Sequence, residues 1–183
     1  MTLRRGLRIA MAAGAFVVAA TGCSVFGKGG DSEGSSANPK STAAPSVDVN
    51  KTVAKATFPS PLADGATVDV KIHGLHRTGK LAVLSVSLTP HVPGEHDDDI
   101  SPYDINGNRG LYPYLVDPVN AKRHVVLKDA KGAELGSHDV FTNGRNNTPM
   151  YLRYTFAAPP ENVSTVDVYI GEWPPFRNVP LER

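Results

Sequence analysis

The chain has 183 residues, of which 40% are apolar, 20% charged and 7% aromatic, with 17 Gly, 15 Pro and a single Cys. Its 19 Lys and Arg nearly balance 18 Asp and Glu, which excludes binding to nucleic acid through bulk charge, since such binding needs clustered basic residues. The high content of Gly and Pro favours turns and short strands over long helices, and the length favours one domain.

Residues 1–22 have the pattern of a secretion signal. Arg4, Arg5 and Arg8 form a basic n-region, and residues 9–20 carry no charge. A transmembrane helix needs about 20 predominantly apolar residues. The uncharged stretch continues to Phe26, so a short membrane anchor is the alternative, but its Ala and Gly content makes it weakly hydrophobic. The paired arginines also resemble a twin-arginine export signal. The sequence therefore predicts an exported protein.

The signal ends in Ala20-Thr21-Gly22-Cys23, which resembles a bacterial lipobox. In that motif small residues precede a Cys whose sulfur takes a diacylglyceryl group, and cleavage between Gly22 and Cys23 makes the Cys the new N-terminus. Two or more acyl chains hold a protein stably on a membrane. The resemblance implies a lipoprotein anchored through Cys23 at the extracytoplasmic face of the bacterial cell membrane.

Residues 23–50 form a low-complexity segment rich in Gly, Ser and Ala. Such a composition cannot bury enough apolar surface to offset the entropy of ordering the chain. The sequence therefore predicts a flexible linker over residues 23–50, followed by one folded domain over residues 51–183.

The folded domain has the alternation of β-strands. Apolar residues alternate with polar ones over 68–72, and over 84–88 within a second predicted strand at 81–88. A turn over 76–80 between the two strands predicts a β-hairpin. A further turn with Gly is predicted at 129–132. Further strands are predicted at 115–116, 124–127, 150–156 and 166–170. Because the sequence contains no amphipathic helix of 12 residues, it predicts an all-β, antiparallel sandwich.

Several segments of this domain resemble secreted actinobacterial lipoproteins whose domain also precedes OmpA-like modules in some of them. The segments are Leu115-Val116-Asp117-Pro118-Val119-Asn120-Ala121-Lys122-Arg123-His124, Val126-Leu127-Lys128-Asp129-Ala130-Lys131-Gly132, Tyr154-Thr155-Phe156-Ala157-Ala158-Pro159-Pro160, Val163-Ser164-Thr165-Val166-Asp167-Val168 and Asn178-Val179-Pro180-Leu181. The resemblance covers about residues 65–183. It implies an immunoglobulin-like sandwich of unknown activity outside the cytoplasm, and it supplies no catalytic residues.

A long acidic loop over residues 94–110 is the most site-like stretch. Asp104, Asn106 and Asn108 have the 1-3-5 spacing of a calcium-binding loop, although Arg109 stands where an EF-hand requires Gly. An irregular Ca²⁺ site that also uses the preceding acids stays open beside the simpler interpretation of a solvated loop. Those acids are Asp97, Asp98 and Asp99. No other cofactor is expected.

Aromatic residues in loop-like sequence supply the candidates for ligand binding. Tyr112 and Tyr114 follow the acidic loop, and Trp173 and Phe176 enclose two prolines near the C-terminus. Such side chains can stack on the sugar of a cell-wall glycan or contact an envelope protein, and packing in the core is the alternative.

No sequence pattern of nucleophilic catalysis or phosphate binding is present, since the chain has neither a G-x-S-x-G elbow nor a phosphate-binding loop. The leading hypothesis is therefore a non-enzymatic, lipid-anchored module that binds a component of the bacterial envelope. The alternative is an envelope hydrolase with a composite site of His91, His96 and the aspartates at 97–99.

Overall fold

A computed structural model of the chain describes residues 48–95 and 97–183. The predicted signal peptide, the predicted lipidation site Cys23 and all but the last three residues of the predicted linker lie outside the described residues. His96, a member of the predicted hydrolase site, also lies outside them.

The described residues form eight strands and one short helix, which confirms the prediction of an all-β protein. The elements are β1 (Ala54–Pro59), β2 (Thr67–Thr78), β3 (Leu81–His91), α1 (Pro102–Ile105), β4 (Tyr114–Asp117), β5 (Lys122–Val125), β6 (Met150–Ala157), β7 (Thr165–Tyr169) and β8 (Phe176–Glu182).

The predicted hairpin is β2 and β3, which pair antiparallel along most of their length. Its turn is shorter than the sequence suggests, because Thr78 pairs directly with Leu81 and only Gly79 and Lys80 connect the strands. Gly79 has a φ of 60°, the left-handed conformation that two-residue hairpin turns require and that glycine adopts without steric cost. The predicted turn at 129–132 is also confirmed, with Gly132 at a φ of 86°.

The strands follow the order β5-β4-β7-β8-β2-β3-β6, and β1 pairs with β2 outside this path. The sheet curls into a half-barrel. An isolated bridge between Val126 and Phe156 joins the segment after β5 to β6, so that the two ends of the strand order meet. The Leu127 amide donates to the Thr155 carbonyl there at 2.8 Å.

The expectation of a purely antiparallel arrangement is wrong at one place. Strands β2 and β8 are parallel, with Leu75 opposite Leu181 and His76 opposite Glu182. A parallel pair cannot be made by a local hairpin, because the chain must cross over before it returns in the same direction. The pairing of β8 with β2 is therefore decided by tertiary packing, whereas β8 also pairs antiparallel with β7, the strand before it in the chain.

The inward faces of the strands enclose one apolar core. The alternating residues of β2, namely Val68, Val70 and Ile72, are fully buried, as the sequence pattern predicted. Tyr154 and Phe156 of β6 are the bulkiest fully buried side chains. Because this core holds the sheet rigid, the loops at its rim can position side chains for binding.

Candidate functional site

The acidic loop is ordered around α1 by its own side chains. The Asp104 carboxylate accepts hydrogen bonds from the amide of Ser101 at 2.9 Å and from its hydroxyl at 2.6 Å, while the Ser101 hydroxyl accepts from the Asp104 amide. This reciprocal arrangement is a capping box, which satisfies amide groups at the start of a helix. The structure therefore gives Asp104, a predicted Ca²⁺ ligand, a capping contact with Ser101.

Asn106 connects two loops with its buried amide. Its side-chain nitrogen donates to the carbonyl oxygens of Arg109 at 3.2 Å and Gly110 at 3.1 Å, and its side-chain oxygen accepts from the amide of Glu172 at 3.1 Å. The side chain is 5% exposed and faces both loops, so all these contacts are internal. Asn106 thus holds the loop after α1 against the turn between β7 and β8, a role that its calcium-like spacing did not predict.

The other predicted calcium ligands lie in solvent. Asp97, Asp98, Asp99 and Asn108 are all exposed, and Asn108 adopts a φ of 58°. Across the described residues, no group of three or more His, Cys, Asp or Glu side chains could hold a metal ion. The structure does not bring the predicted Ca²⁺ ligands together, because α1 and the 106–110 loop use Asp104 and Asn106 for their own hydrogen bonds.

His91, the described histidine of the predicted hydrolase site, contacts residues outside the acidic loop. Its Nδ1 lies 2.7 Å from the side-chain oxygen of Asn147, and its Nε2 lies 3.2 Å from Asp69 Oδ2. A hydrogen bond from Thr57, opposed in part by burial and helped by His91, keeps the pKa of Asp69 below its usual value. Both ring nitrogens are therefore engaged away from the aspartates at 97–99.

Tyr114 is packed on both ring faces. Its ring stacks on Tyr169 with centroids 4.5 Å apart, and the guanidinium of Arg123 lies over the ring at 3.8 Å. Tyr169 is also flanked by Arg177, which pairs with Asp167. Neither face of the Tyr114 ring is left for a ligand, so this candidate stabilises the outer face of the sheet.

Trp173 and Phe176 form an aromatic cluster with Phe58 of β1. The Trp173 and Phe58 rings stack at 5.8 Å, and Phe176 meets Phe58 edge-on at 6.0 Å. Phe176 is buried in the core, whereas Trp173 is half-buried and lines an open cavity of about 430 Å³. We call this the Trp173 cavity; its lining also includes Pro59 and Pro61.

Tyr112 projects beside a second open cavity of about 430 Å³. This cavity, the Tyr112 groove, lies between Tyr103 of α1, the 110–112 segment and the 133–140 loop. The Tyr112 side chain is 71% exposed, and its ring lies so close to Gly110 that a Cβ there would approach it to 2.7 Å. Of the four aromatic candidates, Tyr112 is the one that presents most of its ring to solvent.

The backbone of Tyr112 adopts a φ of 38°, a conformation that bulky residues rarely adopt and that costs energy. Its neighbour Leu111 is fixed from both sides, because its amide donates to Asp139 at 2.7 Å and its carbonyl accepts from Gly171 at 2.7 Å. The following Pro113 is buried. These anchors compel the strained conformation and hold the ring over the groove.

Asp139 is the central anchor of the groove. Its second carboxylate oxygen accepts a hydrogen bond from the phenol of the buried Tyr154 at 3.0 Å. Burial, and then the negative charge of Asp139, raise the pKa of Tyr154 far above its usual value, so the phenol stays protonated as a donor. The backbone carbonyl of Asp139 also accepts from Tyr103 at 3.2 Å, which fixes the loop to α1.

The remaining polar groups of the groove can bind a ligand. Glu134 presents an exposed carboxylate, and the Ser137 hydroxyl accepts from the Arg153 amide and so retains its hydrogen for donation. His138 Nδ1 accepts from the Val140 amide at 3.2 Å, which leaves Nε2 as the donor of the neutral ring. Sequence reasoning missed this loop, because its residues belong to a segment with no motif and meet Tyr112 only after folding.

Comparisons of the chain with protein-family models, with curated proteins and with solved structures found no match. Within residues 48–95 and 97–183, none of the helices has the length and apolar character needed to cross a bilayer. The candidate site is therefore defined by its geometry and chemistry alone.

Proposed function

We propose that this protein is a non-enzymatic, lipid-anchored binding module of the bacterial cell envelope, and that it holds a glycan in the Tyr112 groove. The export signal and the lipobox-like Cys23 support the location. The binding role is supported mainly by Tyr112, which is 71% exposed although its backbone has the strained φ of 38°. Strain that the surrounding structure maintains is concentrated at functional sites.

The chemistry of the groove favours a hydroxyl-rich ligand. An aromatic face binds the apolar C–H face of a sugar ring, and the groove also contains a carboxylate acceptor at Glu134 and hydroxyl and imidazole donors at Ser137 and His138. Its volume of about 430 Å³ lies in the range of small-molecule sites. A soluble fragment of the cell-wall glycan is therefore the ligand of choice, and a segment of an envelope protein is the competing occupant.

The domain itself is proposed to be a divergent immunoglobulin-like module. Support for this assignment comes from the strand pairings, in which β1, β2, β3 and β6 pair antiparallel as one group and β5, β4, β7 and β8 as another. The parallel contact between β2 and β8 joins the two groups into one sheet.

The glycan proposal is tested by calorimetric titration of the protein with soluble peptidoglycan oligosaccharides. Tyr112→Ala is expected to weaken binding at least tenfold, because it removes the stacking face. Tyr151→Ala is the matched control, since Tyr151 is also exposed, at 51%, but lies outside the groove. Equal affinities of the two variants would overturn the assignment, and release of reducing ends during the incubation would instead favour the envelope hydrolase.

The anchor is tested separately by growing cells with a labelled fatty acid. The Cys23→Ala variant is expected to lose both the label and membrane association, because the thioether needs the sulfur. Ser24→Ala, one residue further along, serves as the control and should be labelled normally. Retention of label in the Cys23→Ala protein would show that the lipid is attached elsewhere or that the lipobox interpretation is wrong.

A further inference from the structure

The two cavities of the candidate site adjoin the same short segment of chain. Residues 106–112, which we call the ridge, supply Gly110 and Tyr112 to the Tyr112 groove, and Gly107 and Arg109 to the Trp173 cavity. The cavities have the same volume, about 430 Å³ each. The same short segment of chain therefore contributes residues to both cavities, which makes them neighbours.

The Trp173 cavity repeats the chemistry of the Tyr112 groove. In the first cavity an aromatic ring, Tyr112, accompanies the exposed carboxylate of Glu134. In the second, Trp173 accompanies the carboxylate of Glu172, whose side chain is 65% exposed. Two cavities with the same pair of groups match a ligand that repeats its own chemistry along its length.

The indole of the Trp173 cavity is held in place before any ligand binds. Phe58 supports Trp173 by stacking at 5.8 Å, so the indole does not need to be ordered on binding. Arg109 lies across the rim, 3.6 Å from Glu172, and adds guanidinium donors beside the carboxylate acceptor. Both charged side chains are about two-thirds exposed, so this pair separates at little cost when a ligand replaces one contact.

Asn106 fixes the distance between the two cavities. Its buried amide binds the carbonyl oxygens of Arg109 and Gly110 on the ridge and the amide of Glu172 beside Trp173. The Gly171 amide also donates to the Leu111 carbonyl at 2.7 Å. The ridge and the turn that carries Trp173 therefore form one rigid unit.

From these observations we propose that the Tyr112 groove and the Trp173 cavity are two subsites of one extended site, which binds a linear oligosaccharide across the ridge. This inference rests on the proposed glycan-binding function and adds the length of the ligand and a second set of contacts. A short oligosaccharide fills the Tyr112 groove alone, whereas a longer one reaches Trp173 and Glu172. The second subsite increases the affinity for a long ligand, because a ligand already bound in the first subsite is present at a high effective concentration near the second.

The single tryptophan of the chain makes the second subsite directly observable. The full chain is titrated with a disaccharide and with hexa- and octasaccharides of the peptidoglycan glycan, and both heat and Trp173 fluorescence are recorded. The long ligands are expected to bind at least tenfold more tightly than the disaccharide and to change the fluorescence, whereas the saturating disaccharide leaves it unchanged.

Variants of the second subsite separate this inference from the proposed function. Glu172→Gln and Trp173→Leu are expected to abolish the tenfold gain of the long ligands while the affinity for the disaccharide stays the same. Glu172→Gln is the safer variant for folding, because the side chain is mostly exposed. Glu161→Gln is its matched control, an exposed glutamate outside both cavities, and should leave the gain intact.

The outcomes are distinct. If the disaccharide and the octasaccharide bind equally, or if the long ligands bind Glu172→Gln as they bind the unaltered protein, the extended site is wrong and the Tyr112 groove remains. If no oligosaccharide binds, both proposals are overturned. If a linear peptide binds across both cavities and no glycan competes with it, both proposals are overturned and the surface is assigned to a protein partner.

Discussion

Replacing Asn106 by Asp separates the calcium interpretation of the acidic loop from the contacts that the structure shows. The change keeps the shape of the side chain and its acceptor for the Glu172 amide. It removes both N–H donors, however, and directs carboxylate oxygens at the carbonyl groups of Arg109 and Gly110. If Asn106 ligated Ca²⁺, the added charge would strengthen the site. If it connects the loops, the same change must destabilise the protein.

The size of the loss follows from the hydrogen bonds. Each of the two lost bonds contributes about 1 kcal/mol, and burial of an unpaired acceptor opposite two carbonyl oxygens costs at least about 1 kcal/mol more. We therefore expect Asn106→Asp to lower the free energy of unfolding by about 3 kcal/mol at pH 7. For a domain of this size that corresponds to a fall in Tm of about 10 °C.

Urea unfolding and calorimetry at pH 7, in EDTA and in excess Ca²⁺, measure this loss. Asn108→Asp is the control, since Asn108 is exposed and Asp also tolerates the left-handed backbone there, so its effect should stay below about 0.5 kcal/mol. Lowering the pH should restore part of the stability of Asn106→Asp, because a protonated carboxyl can again donate one hydrogen bond. A variant that is as stable as the unaltered protein, or is stabilised by Ca²⁺, would refute the reasoning.

Three further predictions concern the groove, a turn and the response to acid. Gly110→Ala should displace the hydroxyl end of the Tyr112 ring, which the new Cβ would meet, and weaken oligosaccharide binding at least fivefold in titration, with a change in Tm of less than about 2 °C. Gly171→Ala should lower the free energy of unfolding in urea more than Gly132→Ala. Both glycines have a positive φ, but a Cβ at Gly171 would meet the side-chain oxygen of the buried Asn106 at 2.6 Å, whereas a Cβ at Gly132 would meet nothing within 4 Å. Equal losses of stability in the two variants would contradict this. Burial alone would raise the pKa of Asp117, but hydrogen bonds from Val119 and Asn120 bring that pKa below its usual value. The ionised carboxylate therefore stabilises the folded protein fully above about pH 4, and this stabilisation is lost as the pH falls through the lowered pKa. Unfolding between pH 5 and 2 should therefore be less steep in Asp117→Asn, and an identical slope would contradict the assignment.

The strands that the sequence predicted coincide with strands of the structure, and the clearest period of two lies over 68–72 and 84–88. The predicted segments 68–72 and 81–88 lie within β2 and β3, 115–116 lies within β4 and 150–156 lies within β6. The segments at 124–127 and 166–170 overlap β5 and β7, displaced by one or two residues. A strand with one buried face needs this alternation, so the pattern survives in the sequence.

Two strands were missed, each for a physical reason. The apolar face of β1 consists of Ala54, Ala56 and Phe58, which is too weakly hydrophobic to stand out from the preceding linker. Strand β8 contains Pro180, which argues against a strand, and Asn178 at a φ of 54° interrupts its alternation. Strand β1 is held by pairing with β2, and β8 is held between β7 and β2; these pairings depend on the partner strands and not on the patterns of β1 and β8 themselves.

For the candidate site, the sequence predicted some of the residues but not the contacts that those residues make. Tyr112 and Trp173 were singled out from the sequence as aromatic residues in loop-like segments, and Asn106 for its calcium-loop spacing with Asp104 and Asn108. Their chemistry could not be assigned at that stage, since it depends on which partners the fold supplies. The Tyr114 ring packs against Tyr169 and Arg123 on the face of the sheet, whereas the Tyr112 side chain is mostly exposed to solvent.

The sequence by itself determined the turns and the alternating strands, because side-chain alternation and turn residues are local properties. The lone Cys and the lipobox-like residues before it remain a sequence-based prediction of the membrane anchor. The tertiary structure decided the parallel pairing of β2 with β8, the use of Asn106 as a connection between loops and the pairing of Tyr112 with the 133–140 loop. These features join residues that are distant along the chain, and only the closed core fixes their distances.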